Sequence, residues 1–259
     1  MKPLSTIYLW KERTLFVGTL DDPVCLSQGA ATLCISLGES FRVKQEGEGR
    51  AYTCTSVLIP PGCAVEVDTQ HQPVANLNLD VMGADFFNLS LNMSQQGDLY
   101  FGLKGETEFR AALTRILQEQ CSLSETKATL EQLMAFDTAV DNYAFNKDRR
   151  VQAAVDLIQS SIEMNLSIEC LAEKVNLSVP GLTRLFKKQT GVPIRRYRQW
   201  HRLYITATEI GKGRTLTDAA LAAGFVDLPH CTHTFNMMLG MKPSYFLSKP
   251  DQIRVVIEP

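Results

Sequence analysis

Two stretches near the C-terminus share one spacing of small, turn and apolar residues. LAEKVNLSVPGLTRLFKKQTG spans 171–191 and AALAAGFVDLPHCTHTFNMMLG spans 219–240. Phe186 stands five residues before Gly191, and Phe235 five before Gly240. Leu182 and Cys231 each precede their phenylalanine by four. Ala172 precedes Leu182 by ten and Ala220 precedes Cys231 by eleven, so the second copy holds one extra residue in its turn. A repeat this short is one supersecondary unit used twice, and the rest of the fold must accommodate both copies.

Each copy reads as helix, tight turn, helix. In the first, Leu171, Ala172 and Val175 form a short apolar face, and the small Ala172 permits close approach of the next helix. Asn176 falls where the chain must turn, a residue that tolerates left-handed backbone angles. Ser178 can cap the second helix, and Pro180 sits where first-turn amides have no partner. Leu182, Leu185 and Phe186 face inward, leaving Thr183, Arg184, Lys187 and Lys188 outside. The second copy repeats the plan with Ala220 as the small residue, Gly224 at the turn and Asp227 as the cap. Between them VPIRRYRQWHRLYITATEI reads as one long helix, with Ile194, Tyr197, His201 and Tyr204 on one face and Arg195, Arg196, Arg198 and Arg202 around it. A stiff connector would hold two recognition helices at a spacing suited to successive major grooves, about 34 Å apart.

The remainder of the chain is of another kind. Up to about residue 104, short apolar or alternating runs such as TIYLW, ATLCISL, AVEVD and VANLNLD are separated by DDP, EGEG, PPG and QHQP. That pattern predicts an antiparallel sandwich or barrel. Two amphipathic helices follow. The first carries Phe109, Ala112, Leu113, Ile116 and Leu117; the second is capped by Ser124 and carries Leu130, Leu133, Met134 and Val140. NKDRR at 146–150 reads as a linker. The domains expected are thus 1–104, a β domain; 105–145, linking helices whose stripes suit dimerisation; and 149–249, the paired repeat.

Charge divides the chain in the same place. Residues 1–146 hold 10 basic against 18 acidic residues, a balance of −8; residues 147–250 hold 15 against 8, a balance of +7. The basic half suits a polyanion such as double-stranded DNA. The seven cysteines are odd in number and lack a C-x-x-C pair, so buried thiols in a reducing, cytoplasmic setting are expected. No apolar run is long enough to cross a membrane and the N-terminus has no secretory pattern. G-x-S-x-G, H-E-x-x-H and phosphate-loop motifs are absent, as is any paired-carboxylate constellation, so no catalytic residues, cofactor or enzyme activity is expected.

Residues 149–247 resemble the DNA-binding domain of the AraC/XylS transcription regulators. LSIECLAEKVNLSVPGLTRLFKKQTG and LTDAALAAGFVDLPHCTHTFNMMLGMKPSYF carry the likeness, with A-x-x-x-G-F from Ala220 to Phe225 and G-x-x-P from Gly240 to Pro243 as its marks. The resemblance implies an α+β protein: a cupin-like β-barrel, two linking helices, and a seven-helix domain with two helix-turn-helix motifs on one long helix. It implies a sequence-specific regulator, most often an activator, with RNA polymerase as partner, a homodimeric state, and a barrel that senses a small molecule or serves dimerisation. A ligand-independent regulator or anti-activator acting through protein contacts is the alternative. By position, Pro180, Thr183 and Arg184 of the first recognition helix face the groove, with Lys187 and Lys188 beside them, and Leu228, Pro229, Thr232 and His233 of the second.

The second helix departs from the family's polar or basic pattern, having Leu and Pro at its tip and Cys231 where an aromatic is usual. Base readout is therefore expected to rest on Arg184, the candidate for a bidentate guanine contact. In HCTH, residues 230–233, the helical register sends Cys231 inward and His233 toward DNA, so these side chains diverge and no metal site is expected. Residues 1–146 hold only His71, too few imidazoles for a metal-dependent cupin.

Overall fold

The computed structural model describes residues 4–47, 49–135, 147–161, 166–240, 243 and 253–257. The N-terminal strands are β1 (Ser5–Trp10), β2 (Arg13–Thr19), β3 (Val24–Leu26), β4 (Ala31–Ser36), β5 (Phe41–Gln45), β6 (Ala51–Cys54), β7 (Ser56–Ile59), β8 (Val65–Asp68) and β9 (Pro73–Leu79). Then come α1 (Asp85–Leu91), β10 (Ser94–Gln96), β11 (Leu99–Phe101), α2 (Glu106–Glu119) and α3 (Leu123–Leu133). The C-terminal region holds α4 (Arg149–Ser160), α5 (Ile168–Lys174), α6 (Val179–Thr190), α7 (Ile194–Gly211), α8 (Leu216–Ala222), α9 (Leu228–Leu239) and β12 (Ile253–Ile257). The protein is α+β, as expected, but its β part is two sheets rather than one closed barrel. One has eight strands in the order β10-β11-β7-β4-β9-β2-β1-β12; the other has four, β3-β8-β5-β6.

Period-two alternation divides the larger sheet's residues between two faces. Tyr8, Trp10, Leu15, Val17, Leu33, Leu77 and Leu79 form the outer core with Phe109, Leu113, Ile116 and Leu117 of α2 and Leu130 of α3. The apolar stripes of the two linking helices are thus spent on their own sheet. Ser122, not Ser124, caps α3, in a capping box with Glu125. Val140, expected on the same helix, lies outside the described residues. The opposite face of the sheet meets the four-stranded sheet through Leu20, Val24, Leu26, Cys34, Phe41 and Val43. Arg42 and Lys44 of β5 are exposed, as their alternation with Phe41 and Val43 predicts. None of the seven cysteines forms a disulfide; Cys34, Cys121 and Cys231 are buried, whereas Cys25 is exposed, against the expectation for it.

The four-stranded sheet covers only part of that inner face. The C-terminal domain covers the rest. The β3–β4 turn lies on α7 and on the end of α9: the Ser27 amide donates to the Met238 carbonyl at 3.1 Å, and the Arg196 guanidinium donates to the Ser27 carbonyl and hydroxyl. A Cβ on Gly29 would lie 2.5 Å from Trp200 Cβ, and one on Gly240 2.5 Å from the Cys25 amide nitrogen. Only glycine permits that approach, and Gly240 also sits at φ +67°. Val81 and Met82 join the core of α4, α5 and α6. Finally β12 pairs parallel with β1, from Ser5↔Ile253 to Leu9↔Ile257, returning the chain's end to the first sheet. Of the seven helices implied for the C-terminal domain, six lie among the described residues; within 241–252 only Pro243 is described.

His201 of α7 is half-buried at this seam, its ring stacked between Tyr197 and Tyr204 at 6.5 and 6.1 Å. Burial, against a bond to the Gln159 backbone and beside Lys11, pushes its pKa down to about 4. An unfolded histidine titrates near 6.5, so the unfolded chain binds the extra proton first. The neutral ring's contribution is complete above about pH 6.5 and is lost as pH falls toward 4. Between pH 7 and 5 the loss is about 2 kcal/mol, or about 4–8 °C in melting temperature. Thermal melts of wild type and His201→Phe at both pH values are expected to differ in slope by that amount.

Candidate nucleic-acid interface

The two repeats fold to one plan. In the first, Asn176 takes φ +53° between α5 and α6. The Ser178 side chain accepts from the Gly181 amide at 3.2 Å and Pro180 lies in the first turn. Leu182 and Phe186 are fully buried, and Gly191 ends the helix in the left-handed region. In the second, Gly224 takes φ +79°, Asp227 accepts from the His230 amide at 2.7 Å, Pro229 lies in the first turn, and Gly240 ends α9. Cys231, Thr234, Phe235 and Met238 are its buried side.

The expected groove-facing residues of α6 are brought together on its outer side: Pro180, Thr183, Arg184, Lys187 and Lys188 are all exposed. The Thr183 hydroxyl donates to the Val179 carbonyl at 2.9 Å, so it is already engaged by its own helix. On α9, Pro229 and His233 are exposed and Leu228 and Thr232 are half-buried. HCTH diverges as its register requires. Cys231 is buried, His233 exposed, and the His230 ring meets the Phe225 ring edge-on at 5.3 Å.

The two units differ sharply in electrostatics. Residues 168–190 contain Lys174, Arg184, Lys187 and Lys188 against Glu169 and Glu173. Residues 216–239 contain Asp218 and Asp227 and no lysine or arginine, while Leu221, Val226 and Met237 are exposed. Nor do all the connector arginines serve as free cations. Arg196 holds Ser27, Arg198 donates to the Leu166 carbonyl, and Arg202 lies over the Phe225 ring at 5.9 Å. Residue counts along α7 do not reveal this, because the contacts come from distant segments.

A second feature lies behind the interface. Where α7 and α9 cover the larger sheet they leave a cavity of about 150 Å³. Ile7, Leu9 and Phe16 form its floor, and Trp200, Leu203 and Phe235 its roof. Thr14, Gln28, Asn76 and Asn78 are polar members of the lining. No local pattern marks it, because its walls come from segments far apart in the chain.

Residues 171–249 match the family model described as a helix-turn-helix domain. Among solved structures, the chain resembles ToxT from Vibrio cholerae O395, at 14% identity and TM-score 0.62, covering 92% of this chain and 98% of that one. It also resembles wild-type ToxT from V. cholerae strain SCE256 bound to unsaturated fatty acid, at 15% identity and TM-score 0.58, covering 92% and 96%. An AraC-type DNA-binding domain-containing regulator from Chromobacterium violaceum is 27% identical over 40% of this chain and 94% of its own, with TM-score 0.38. The ToxT likeness extends over both domains, so the β sheets and the paired repeat belong to one known fold.

The caps that start both recognition helices are single side chains on exposed turns. Ser178→Ala and Asp227→Ala are each expected to lower stability by about 1 kcal/mol, read as a fall in the urea midpoint at unchanged slope.

Proposed function

We propose that this chain, residues 171–249 of which match a helix-turn-helix domain, is a sequence-specific transcription regulator of the AraC/XylS type that senses a small apolar molecule. The observation that carries the reading is the pairing of two capped helix-turn-helix units on one connecting helix, directly over a cavity shared with the β domain. Helix α7, at 18 residues, is about 27 Å long, a span that separates two reading heads. The first head is cationic and exposed, and supplies phosphate contacts and base readout together. The second contributes no formal positive charge from its helices. It adds shape, methyl packing and the exposed His233.

The sensing half of the proposal rests on the cavity. It is apolar, lies between domains, and is walled by the helix that also carries the second reading face. A fold of this kind holds an unsaturated fatty acid in ToxT, which supports an apolar guest here. Activation through RNA polymerase and action as a homodimer are further parts of the reading, supported by the resemblance. A dimer would have to use faces other than the buried stripes of α2 and α3.

Arg184→Ala is expected to lose specific binding, by about 10- to 100-fold, because a bidentate guanine contact is worth about 1–3 kcal/mol. His233→Ala is expected to weaken it only a few-fold. Both variants should melt like wild type, since both side chains are exposed. A gel-shift titration in which His233→Ala lost as much as Arg184→Ala would refute the ranking, and wild type showing no sequence preference would refute the reading itself.

A further inference from the structure

We infer that the seam cavity takes an uncharged, ring-sized molecule bearing a hydroxyl group, and that the Asn76 side-chain amide selects it. The inference rests on the sensing proposal for the cavity's role and goes beyond it in naming the guest. Size is the first argument. A largely apolar space near 150 Å³ holds one benzene ring.

The polar groups present are the second. Thr14, Asn78, Thr32 and Gln28 contact one another across three strands. Asn78 Nδ2 donates to Thr14 Oγ1 at 2.9 Å, and the Thr32 hydroxyl lies 2.9 Å from Asn78 Oδ1 and also contacts Gln28. Asn76 is two residues along β9, on the same face. Its Nδ2 reaches only Cys34 Sγ, at 3.6 Å, and its Oδ1 is buried with no partner. The Asn76 side chain lines the cavity while this oxygen is covered and unpaired, so rotation of the amide would present it to a guest's donor. A hydroxyl supplies that donor and can return an acceptor to the amide.

Charge is the third. The described lining consists of aliphatic, aromatic, amide and hydroxyl side chains and is without charge. A carboxylate entering it would give up water with no counter-ion in the described lining to meet it. The relevant contrast is therefore between a neutral guest and an anion of the same shape.

The probes are p-cresol, toluene and p-toluate, three guests on one ring. Trp200 lines the cavity, while Trp10, the only other tryptophan, lies in the core on the opposite face of the sheet, so indole fluorescence of the full chain reports entry. p-Cresol is expected to bind tightest, toluene about tenfold more weakly, and p-toluate not at all over the same range. Asn76→Leu should bring p-cresol to the toluene level and leave toluene unchanged. Binding of p-toluate as tight as that of p-cresol overturns the inference, as does a cresol preference that survives Asn76→Leu. The wild-type series decides even if that variant does not fold. DNA affinity, measured with and without p-cresol, tests the sensing proposal apart from the guest. The expected binding order with unmoved DNA affinity sinks sensing and keeps the guest; a p-toluate preference that shifts DNA affinity does the reverse. Failure of all three probes to bind sinks the guest assignment.

Discussion

A sheet of eight strands opposite a sheet of four leaves apolar surface that the β domain cannot cover by itself. Ile7, Leu9 and Phe16 occupy that surplus, and leaving them in water would forfeit about 1.5–3 kcal/mol for each large side chain. The C-terminal domain is what covers them. Its docking is not a loose contact between separately completed modules. Arg196 reaches across to Ser27, Gly29 and Gly240 admit backbone against neighbouring atoms, and β12 returns to the first sheet as its edge strand. The connecting helix is therefore fixed on two sides: by the helix-turn-helix cores it joins and by the sheet it roofs.

That placement explains the chemistry of α7. A connector rich in arginine reads as a surface for phosphates. In the folded chain Arg196, Arg198 and Arg202 are half-buried, and burial lowers the pKa of each from its ordinary value. Their hydrogen bonds and ring contact hold segments together, and long side chains like these contribute packing as well as charge. The basic balance of the C-terminal half is real, but its free cations belong to α6 more than to α7 or α9. The two reading heads share a backbone plan and differ in their electrostatics. Evolution of such a pair can leave the scaffold untouched while it changes which head carries affinity, because Cys231, Phe235 and Met238 hold α9 in place whatever its outer residues are.

The repeat was legible because its signals are local. Asn176 and Gly224 mark turns by backbone angle, Ser178 and Asp227 mark starts by capping, and Leu182, Phe186, Cys231 and Phe235 mark inner faces by spacing. The β region was legible as strands but not as two sheets, since strand order depends on pairings that a turn signal does not specify. IRVVI, at 253–257, is a short apolar run that sets no partner, and only the free edge of β1 gives it one. VANLNLD shows the same limit. Its alternation says that Asn76 and Asn78 share a face, and an isolated strand would assign that face to solvent. Here the face looks into a cavity, because another domain lies over it. The cap of α3 was misplaced by two residues, Ser124 for Ser122, since both serines precede an apolar run and only Glu125 distinguishes them, completing a capping box with the earlier one.

A cavity with walls from both domains makes the proposed sensing a matter of linkage rather than of distance. Phe235 and Leu239, at the C-terminal end of α9, line the same space as Ile7 and Phe16 of the sheet. The Ser27 amide grips the Met238 carbonyl between them. A guest that fills the space adds contacts to both walls in the docked arrangement and loses them if α9 or α7 shifts. It therefore stabilises docking by the free energy of those contacts and no more. If DNA prefers the same placement of α9, guest and DNA strengthen each other; if DNA needs the second head released, they oppose each other by an equal factor. The sign is set by which arrangement the second head takes on DNA. Because that head has little charge of its own, its contribution to binding depends on being held in register with α6. The seam, more than the recognition helix itself, is then where regulation of this protein would act.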